Sequence, residues 1–250
     1  MSIARSIDAG DIGLFDYVDS QTSDDDRRSL LAIHSAIARR LRTFTYLEIG
    51  SHLGGSLQAF VADARCRRIV SIDPRPASQP DDRGMNYDYD DNSTDRMLAL
   101  LKEVPDADLT KLGTIELSTE DIAVGQIARP DLCFIDGEHT HAAALRDARF
   151  CRATMHGAGV VLFHDRFVIQ DTVVAFARET PGPMTAYPMR GSIFVVEIGS
   201  DVPLLRNAAV AARVAPPAAP LWNLASILGA NQMLLSSASR LRRLRHQLAR

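Results

Sequence analysis

The sequence has few cysteines and no long apolar stretch, and each shortage excludes a class of protein. Cys66, Cys133 and Cys151 are widely spaced and form no CxxC pair, so neither a disulfide framework nor a thiolate zinc site is indicated. No stretch approaches the ~20 apolar residues that span a membrane. The N-terminal residues also lack the apolar core of a signal peptide. We therefore expect a cytoplasmic protein without a transmembrane segment.

Lysine is scarce as well, since 28 basic residues include only Lys102 and Lys111. The formal net charge of -3 argues against a dedicated nucleic-acid-binding protein. A hydrophobic fraction of 46% is typical of a globular protein, and 250 residues are enough for one large α/β domain with an appendage. These values leave a small molecule as the expected binding partner.

Short apolar runs alternate with helical periodicities along the middle of the chain. This alternation predicts a doubly wound, Rossmann-like α/β fold, with a mostly parallel seven-stranded sheet, an antiparallel edge hairpin and a helical C-terminal tail. The predicted divisions are an N-terminal helical segment (1–43), the α/β domain (44–200), and a linker with a C-terminal helix (201–250). The predicted strands cover residues 44–49, 68–72, 113–117, 130–135, 159–163, 184–187 and 192–198. The main predicted helices cover residues 27–42, 95–104, 141–154, 170–179 and 221–248.

A glycine-rich turn, residues 50–56, follows the first predicted strand. Such a turn lets a ligand approach the backbone at the start of a helix. The spacing of Gly50, Gly54 and Gly55 differs from the dinucleotide pattern GxGxxG, because His52 stands at its middle position. The acidic residue before the turn, Glu48, suits a cationic amino-acid group better than a phosphate.

Two further positions fit a nucleoside ligand. Asp73 ends the second predicted strand, where an acid can accept hydrogen bonds from two ribose hydroxyls. Its alternative role is that of an ordinary Asp-Pro turn. Ser118, after the third predicted strand, would border an adenine ring.

The connection between residues 74 and 93 is long and polar, and we expect it to form a lid over the crevice rather than a plain mobile loop. Tyr87 and Tyr89 lie within it. The polar character of this tyrosine-containing connection and the low aromatic fraction of 6% favour a sugar or another polyhydroxylated acceptor over a catechol as the substrate. Self-association through the N-terminal or C-terminal helices is a further expectation.

Two apolar runs end abruptly in acids and histidines, as DLCFIDGEHTH (131–141) and GVVLFHDRF (159–167). Asp136 and Asp165 would meet at the carboxyl ends of adjacent strands, where a divalent cation would relieve their repulsion. His164 could be a third ligand, although imidazole favours transition metals over magnesium. His139 is suited to act as a general base, or else it is a helix cap or a surface residue.

Four segments together resemble class I S-adenosylmethionine-dependent methyltransferases: FTYLEIGSHLGGSL (44–57), VSIDP (70–74), DLCFIDGEHTHAAALRD (131–147) and GVVLFHD (159–165). The similar branch contains metal-dependent O-methyltransferases that modify antibiotic sugars, and their catechol-type relatives. The resemblance covers roughly residues 44–200. It implies that Asp136 and Asp165 hold the cation and that His139 is the base. At the position of His164, the family usually has an acid.

The predicted function is methyl transfer from S-adenosylmethionine to a hydroxyl oxygen of a small acceptor. The expected cation is magnesium, with manganese or another transition metal as the alternative, and its ligands are Asp136, His164 and Asp165. The predicted cofactor contacts are Glu48, Gly50, Ser51, Gly54, Ser56, Asp73, Ser118 and Asp136.

Three alternatives remain open at this point. A metal-independent O- or N-methyltransferase would keep its activity in EDTA. An NAD-dependent oxidoreductase would be stabilised by NAD rather than by S-adenosylmethionine. A non-catalytic cofactor-binding protein would show no turnover.

Overall fold

The apolar runs form strands in the computed structural model, which describes residues 2–199 and 203–216. The strands are β1 (Phe44–Ile49), β2 (Cys66–Ile72), β3 (Ser78–Pro80), β4 (Asn86–Asp88), β5 (Leu112–Ile115), β6 (Leu132–Ile135), β7 (Gly159–Phe163), β8 (Met184–Pro188) and β9 (Phe194–Ile198). The α-helices are α1 (Ile3–Ala9), α2 (Asp24–Leu41), α3 (Gln58–Ala62), α4 (Thr94–Leu101), α5 (His141–Thr154), α6 (Gln170–Glu179) and α7 (Ala208–Arg213). Short 3-10 helices cover Ile12–Phe15, Leu109–Lys111, Thr119–Asp121, Val124–Gln126 and Leu204–Arg206.

Seven strands form one sheet in the order β5-β2-β1-β6-β7-β9-β8. The first five of these are parallel to one another, whereas β9 pairs antiparallel with both β7 and β8. This confirms the predicted mostly parallel sheet with an antiparallel edge hairpin. Because β6 and β7 are adjacent and parallel, their carboxyl ends place residues 136 and 164–165 side by side.

The central strands are apolar along their length because helices cover both faces of the sheet. Successive side chains of a strand point to opposite faces. Tyr46 packs in one core cluster with Leu30 of α2 and Phe60 of α3, whereas Leu47 packs in the other with Ala148 of α5 and Phe176 of α6. The sheet is therefore sandwiched between two helical layers, and only its edges and strand ends remain open to ligands.

Helix α2 begins three residues earlier than the sequence predicts. Ser23 caps it by accepting a hydrogen bond from the Asp26 amide, and the Asp26 carboxylate accepts one from the Ser23 amide. This reciprocal capping box, with three aspartates in the first turn, favours an early helix start. Residues 29–38 of α2 are buried within the same chain, so most of the helix is a core element.

Two other parts of the structure differ from the expectation. Residues 3–9, for which no element is predicted, form α1, and the connection 74–93 contains the two-stranded antiparallel sheet β3-β4. Residues 203–216 pack on the domain through the buried Val210. The predicted helix 221–248 lies outside the described residues, as do residues 201–202 and 217–220 of the linker before it. Among the helices that the structure describes, none is long and apolar enough to cross a membrane.

Candidate active site

The turn after β1 brings its backbone close to the backbone of residues 136 and 137, at the end of β6. Gly50 has φ +85°, and a Cβ atom there would lie 2.2 Å from the carbonyl oxygen of Asp136. Only glycine tolerates both the positive φ and this contact. Gly54 also has φ +85°, and it packs against Leu101 of α4. The glycines thus bring the end of β1 directly against the end of β6.

Glu48 is completely buried beneath this turn. Its two carboxylate oxygens accept hydrogen bonds from Ser56 Oγ at 2.6 Å and from Tyr46 Oη at 2.5 Å. Burial raises the pKa of Glu48 to about 7, although both hydrogen bonds lower it. Because the carboxylate does not line the crevice, we infer that Glu48 acts on a ligand through Ser56, which does.

Replacing Glu48 with glutamine is expected to change how stability depends on pH. The folded pKa of about 7 exceeds the ordinary value of 4.5, so the folded state binds the proton more tightly. The resulting stability is fully present below about pH 4.5 and is lost as the pH rises through about 7. The lost free energy of unfolding is about 3 kcal/mol. In urea unfolding, wild type should lose this stability between about pH 5 and about pH 8, whereas Glu48→Gln should not.

The matched control is Glu179→Gln, because Glu179 is an exposed acid whose pKa is lowered by its hydrogen bond to Arg149. Its unfolding free energy should follow the wild-type dependence across the same pH range. If Glu48→Gln and wild type lose stability equally, burial of the Glu48 carboxyl is not the cause.

Asp73 lies at the end of β2, as predicted, and is buried. Its carboxylate accepts hydrogen bonds from the backbone amides of His52 and Arg75, both at 2.8 Å. The Arg75 guanidinium lies 3.4 Å from the same carboxylate and donates to the side chain of Asn92. Asp73 therefore joins the glycine turn to the start of the lid, at the position where the sequence predicts ribose recognition.

A crevice runs along these strand ends, and five of the eight predicted cofactor contacts line it: Gly50, Ser51, Ser56, Asp73 and Asp136. Within the described residues, Glu48, Gly54 and Ser118 are not part of this lining. The lid contributes Gln79, Tyr89 and Asn92 to it. A larger cavity at the β5 edge, lined by residues such as Lys111 and Arg129, contains no predicted site residue.

The N-terminal segment forms another wall, which sequence reasoning missed. Asp19, Ser20 and Gln21 line the crevice, and the segment packs so tightly on Gly55 that a Cβ there would lie 2.5 Å from the Asp19 carbonyl oxygen. The buried Gln58 fixes the segment. Its side chain accepts from the amides of residues 17 and 18 and donates to the carbonyls of residues 15, 18 and 55. A single glutamine in a short helix gives no sequence signal for such a role.

Four side chains converge where β6 and β7 end: Asp136, His139, His164 and Asp165. One nitrogen or oxygen atom from each lies within 4.8 Å of the corresponding atoms of the others. His164 Nδ1 is 2.8 Å from Asp136 Oδ1 and 3.3 Å from Asp165 Oδ2, and His139 Nε2 is 3.0 Å from Asp165 Oδ2. Asp165 has φ +48°, which turns the chain sharply after the strand. The structure thus brings together all the residues predicted for the cation and the base.

The side chains of this cluster are of types that could hold a divalent cation. His139 Nε2 and both ring nitrogens of His164 are buried, and none has a hydrogen bond of good geometry. The nitrogens and carboxylate oxygens therefore lie close together without forming good hydrogen bonds to one another. Atoms that bind one metal ion are arranged in this way. Carboxylates and imidazoles are both ligands of divalent metals.

The charges within the cluster are strongly coupled. Burial would lower the pKa of His164, but the neighbouring carboxylates, with Asp136 first, raise it well above its usual range. Burial would likewise raise the pKa of Asp136, but the charges of His164 and His139 lower it. The site therefore favours negatively charged carboxylates beside a positive charge.

The lid hairpin docks directly on the loop that carries His139. The amide of Asp82 donates to the carbonyl of His139 at 3.3 Å, and the carboxylate of Asp82 accepts from the amide of His141 at 2.6 Å. The Tyr87 ring meets the His139 ring edge-on, with the centroids 6.3 Å apart. The lid and the candidate base are therefore one connected unit.

Comparison with known proteins agrees with this arrangement. A family model described as a methyltransferase domain matches residues 47–166. The calicheamicin methyltransferase CalS11 aligns with a TM-score of 0.51 and 16% identity over 79% of this chain and 92% of its own. At this identity the likeness concerns the fold alone. Comparison with curated proteins gave no match.

Two other solved structures give lower scores. The O-methyltransferase TomG from Streptomyces achromogenes, involved in tomaymycin synthesis and solved with SAM, aligns with a TM-score of 0.48 and 14% identity over 79% of this chain and 89% of its own. An O-methyltransferase from Bacillus cereus, solved with SAH, aligns with a TM-score of 0.47 and 11% identity over 78% of this chain and 90% of its own.

The matched segment runs from β1 to the turn after β7, so it contains both the glycine turn and the four-residue cluster. Residues 47–166 thus match a methyltransferase domain, and the seven-stranded sheet around them has the Rossmann-like fold that the sequence predicts. Both findings agree with the predicted resemblance to class I S-adenosylmethionine-dependent methyltransferases.

Proposed function

We propose that this enzyme transfers the methyl group of S-adenosylmethionine to a hydroxyl oxygen of a small polyhydroxylated acceptor, assisted by a divalent cation and a histidine base. The observation that carries the proposal is the meeting of Asp136, His139, His164 and Asp165 at one end of the crevice that Gly50 and Asp73 line. Asp136 and His139 line the same crevice as Gly50 and Asp73, which supports a cofactor half and a cation half that share one cavity, as direct transfer requires.

The reaction balances with the groups in the crevice. The bond between the sulfonium sulfur and the methyl carbon breaks, a bond from the acceptor oxygen to that carbon forms, and the hydroxyl proton passes to a base. Asp73 would hold the ribose, and the turn from Gly50 to Ser56 would hold the amino-acid part. Residues 19–21 and the lid would exclude water from above.

Asp136, His164 and Asp165 would hold the cation. A bound cation lowers the pKa of a hydroxyl and orients it. The imidazole of His164 favours manganese or another first-row transition metal over magnesium, which prefers oxygen ligands. We therefore propose manganese as the better cation for this chain.

His139 is the cluster histidine that lines the crevice, whereas His164 lies deeper and is almost fully buried. The Asp165 carboxylate, 3.0 Å from His139 Nε2, would stabilise the imidazolium formed when His139 accepts the proton. The same distances would also let His139 act as a fourth ligand of the cation. Metal affinity separates these two roles, because only a ligand contributes to it directly.

The lid supports a polyhydroxylated acceptor. Gln79, Tyr89 and Asn92 supply polar groups to the crevice. A lining of this kind offers several hydrogen-bond donors and acceptors. This is the basis for placing sugars before phenols among the acceptors.

Methyl transfer from radiolabelled S-adenosylmethionine to sugar and phenol acceptors tests the proposal. We expect turnover with a sugar-like acceptor, loss of most activity after treatment with EDTA, and better recovery with Mn²⁺ than with Mg²⁺. Thermal stabilisation by S-adenosylhomocysteine in the stripped protein would show that the cofactor half is intact. Activity that survives EDTA undiminished would contradict the role of the cation.

One observation favours a metal-independent transferase as the second candidate. His164 Nδ1 lies 2.8 Å from Asp136 Oδ1, so a protonated His164 could itself supply the positive charge between the two acids. Such an enzyme would be insensitive to EDTA and would lose activity in His164→Ala.

A further inference from the structure

The buried carboxylate of Asp26, in the first turn of α2, lies beside His164 of the candidate cation site. Asp26 is 3% exposed. Its Oδ1 accepts a hydrogen bond from the Ser192 amide at 2.6 Å, and its Oδ2 accepts one from Ser23 Oγ at 2.5 Å. Oδ2 also lies 3.7 Å from His164 Nε2. This acid therefore joins the cap of α2, the turn at residue 192 and the cluster histidine.

The two ring nitrogens of His164 face different partners. Nδ1 faces Asp136 and Asp165, the acids proposed to hold the cation, whereas Nε2 faces Asp26. The ring is 6% exposed, and its edge meets Phe134 with the centroids 5.8 Å apart. The orientation of the ring therefore depends on groups that lie outside the cluster.

The turn around residue 191 is built against this carboxylate. Gly191 has φ +81°, and a Cβ there would lie 2.3 Å from Asp26 Oδ1. The amide of Arg166 donates a hydrogen bond to the Ser192 carbonyl in the same turn. The Arg166 side chain donates to two further carbonyls, those of Met189 and Ile193. Asp26 is thus fixed to a turn that is itself hydrogen-bonded to Arg166, the residue after the proposed ligands His164 and Asp165.

We propose that Asp26 is a positioning residue of the cation site, which holds His164 with Nδ1 directed at Asp136 and Asp165. A histidine that binds a metal commonly directs its other ring nitrogen at a carboxylate, which fixes the ring and increases its basicity as a ligand. Asp26 supplies that carboxylate from an element outside the matched segment 47–166. The inference rests on the proposed function, because it assumes a cation at the cluster.

Helix capping alone does not explain the placement of Asp26. Ser23 already caps the helix, and the neighbouring Asp24 and Asp25 supply negative charge to its first turn while remaining exposed. Burying a carboxylate is costly unless it is paired. Asp26 is the acid of this turn that is buried, and it is the one that faces His164.

The test compares Mn²⁺ affinity, measured by electron paramagnetic resonance, with the melting temperature, in the full-length chain. Asp26→Asn keeps the size and shape of the side chain but removes its charge. We expect it to weaken Mn²⁺ binding about 10–100-fold. Asp26→Glu, which restores the charge, should recover most of the affinity. Asp24→Asn removes an exposed carboxylate from the same helix turn, one that lies 3.7 Å from Arg28 and outside the cluster, so it should leave Mn²⁺ affinity unchanged.

His164→Ala separates a failure of this inference from a failure of the cation site. If His164→Ala loses Mn²⁺ affinity while Asp26→Asn binds as wild type, the positioning role is wrong and the cation site stands. If wild type binds no Mn²⁺, or His164→Ala binds as wild type, both proposals are overturned. Asp26→Ser is a second neutral variant, so the comparison holds if the asparagine variant does not fold.

Discussion

Replacement of His139 with alanine is expected to lower kcat about 10²–10⁴-fold, the usual contribution of a general base. The His139 ring lines the crevice and lies 3.0 Å from the Asp165 carboxylate, so its removal takes away the proposed proton acceptor. The glycine turn and Asp73 are unchanged, and binding of S-adenosylmethionine should persist. Steady-state kinetics and calorimetric titration with S-adenosylhomocysteine measure the two effects separately.

The matched control is His141→Ala, two residues further along the chain at the start of α5. His141 Nδ1 bonds to Thr172 Oγ1 at 3.0 Å, in the contact between α5 and α6, and His141 does not line the crevice. Its kcat should stay within a few-fold of wild type. Full activity in His139→Ala would exclude the base assignment. Loss of Mn²⁺ affinity in parallel with kcat would instead make His139 a ligand of the cation.

Replacement of Gly50 with alanine is expected to abolish both cofactor binding and activity. The added Cβ would lie 2.2 Å from the Asp136 carbonyl oxygen and 2.6 Å from Gly137 Cα, and the φ of +85° is strained for alanine. These neighbours are backbone atoms, so β1 and β6 must move apart at the site. A core clash of this kind costs more than about 4 kcal/mol of unfolding free energy. Urea unfolding and titration with S-adenosylhomocysteine would measure the two losses.

Gly84→Ala is the control for the strain of a positive φ without a clash. Gly84 lies between β3 and β4 with φ +77°, and no atom lies within 4 Å of an added Cβ. We expect it to cost about 1–2 kcal/mol and to leave cofactor affinity unchanged. If Gly50→Ala is no worse than Gly84→Ala, the close approach of the two strand ends is not what requires glycine at position 50.

The elements that the sequence predicts well are those with a strong local signal. β1, β7, α5 and α6 have the predicted bounds, because apolar runs and helical stripes are interrupted there by clear turn residues. The pairing of β6 with β7 was also predictable, since strands separated by a helix in a doubly wound sheet tend to be neighbours. The meeting of Asp136 with Asp165 follows from that pairing.

The elements that were missed depend on contacts distant in sequence. The strands β3 and β4 are three residues each, too short for a periodic pattern, and the hairpin docks on the loop of His139. Gln58 is separated by 40 residues from the Val18 amide that it binds. Neither residue type nor spacing predicts a partner that is so far away in the sequence.

The sequence by itself determined the fold class and the chemical types at the site, because strand ends in a parallel sheet share one edge and the side chains that follow them must meet there. The tertiary structure alone decided which of these groups line the crevice. It buried Glu48 beneath the turn, placed His139 at the crevice and His164 deeper, and brought Asp26 to the far nitrogen of His164. The physical reason is that burial and orientation depend on packing between segments far apart in the chain, which the order of residues within any one segment does not encode.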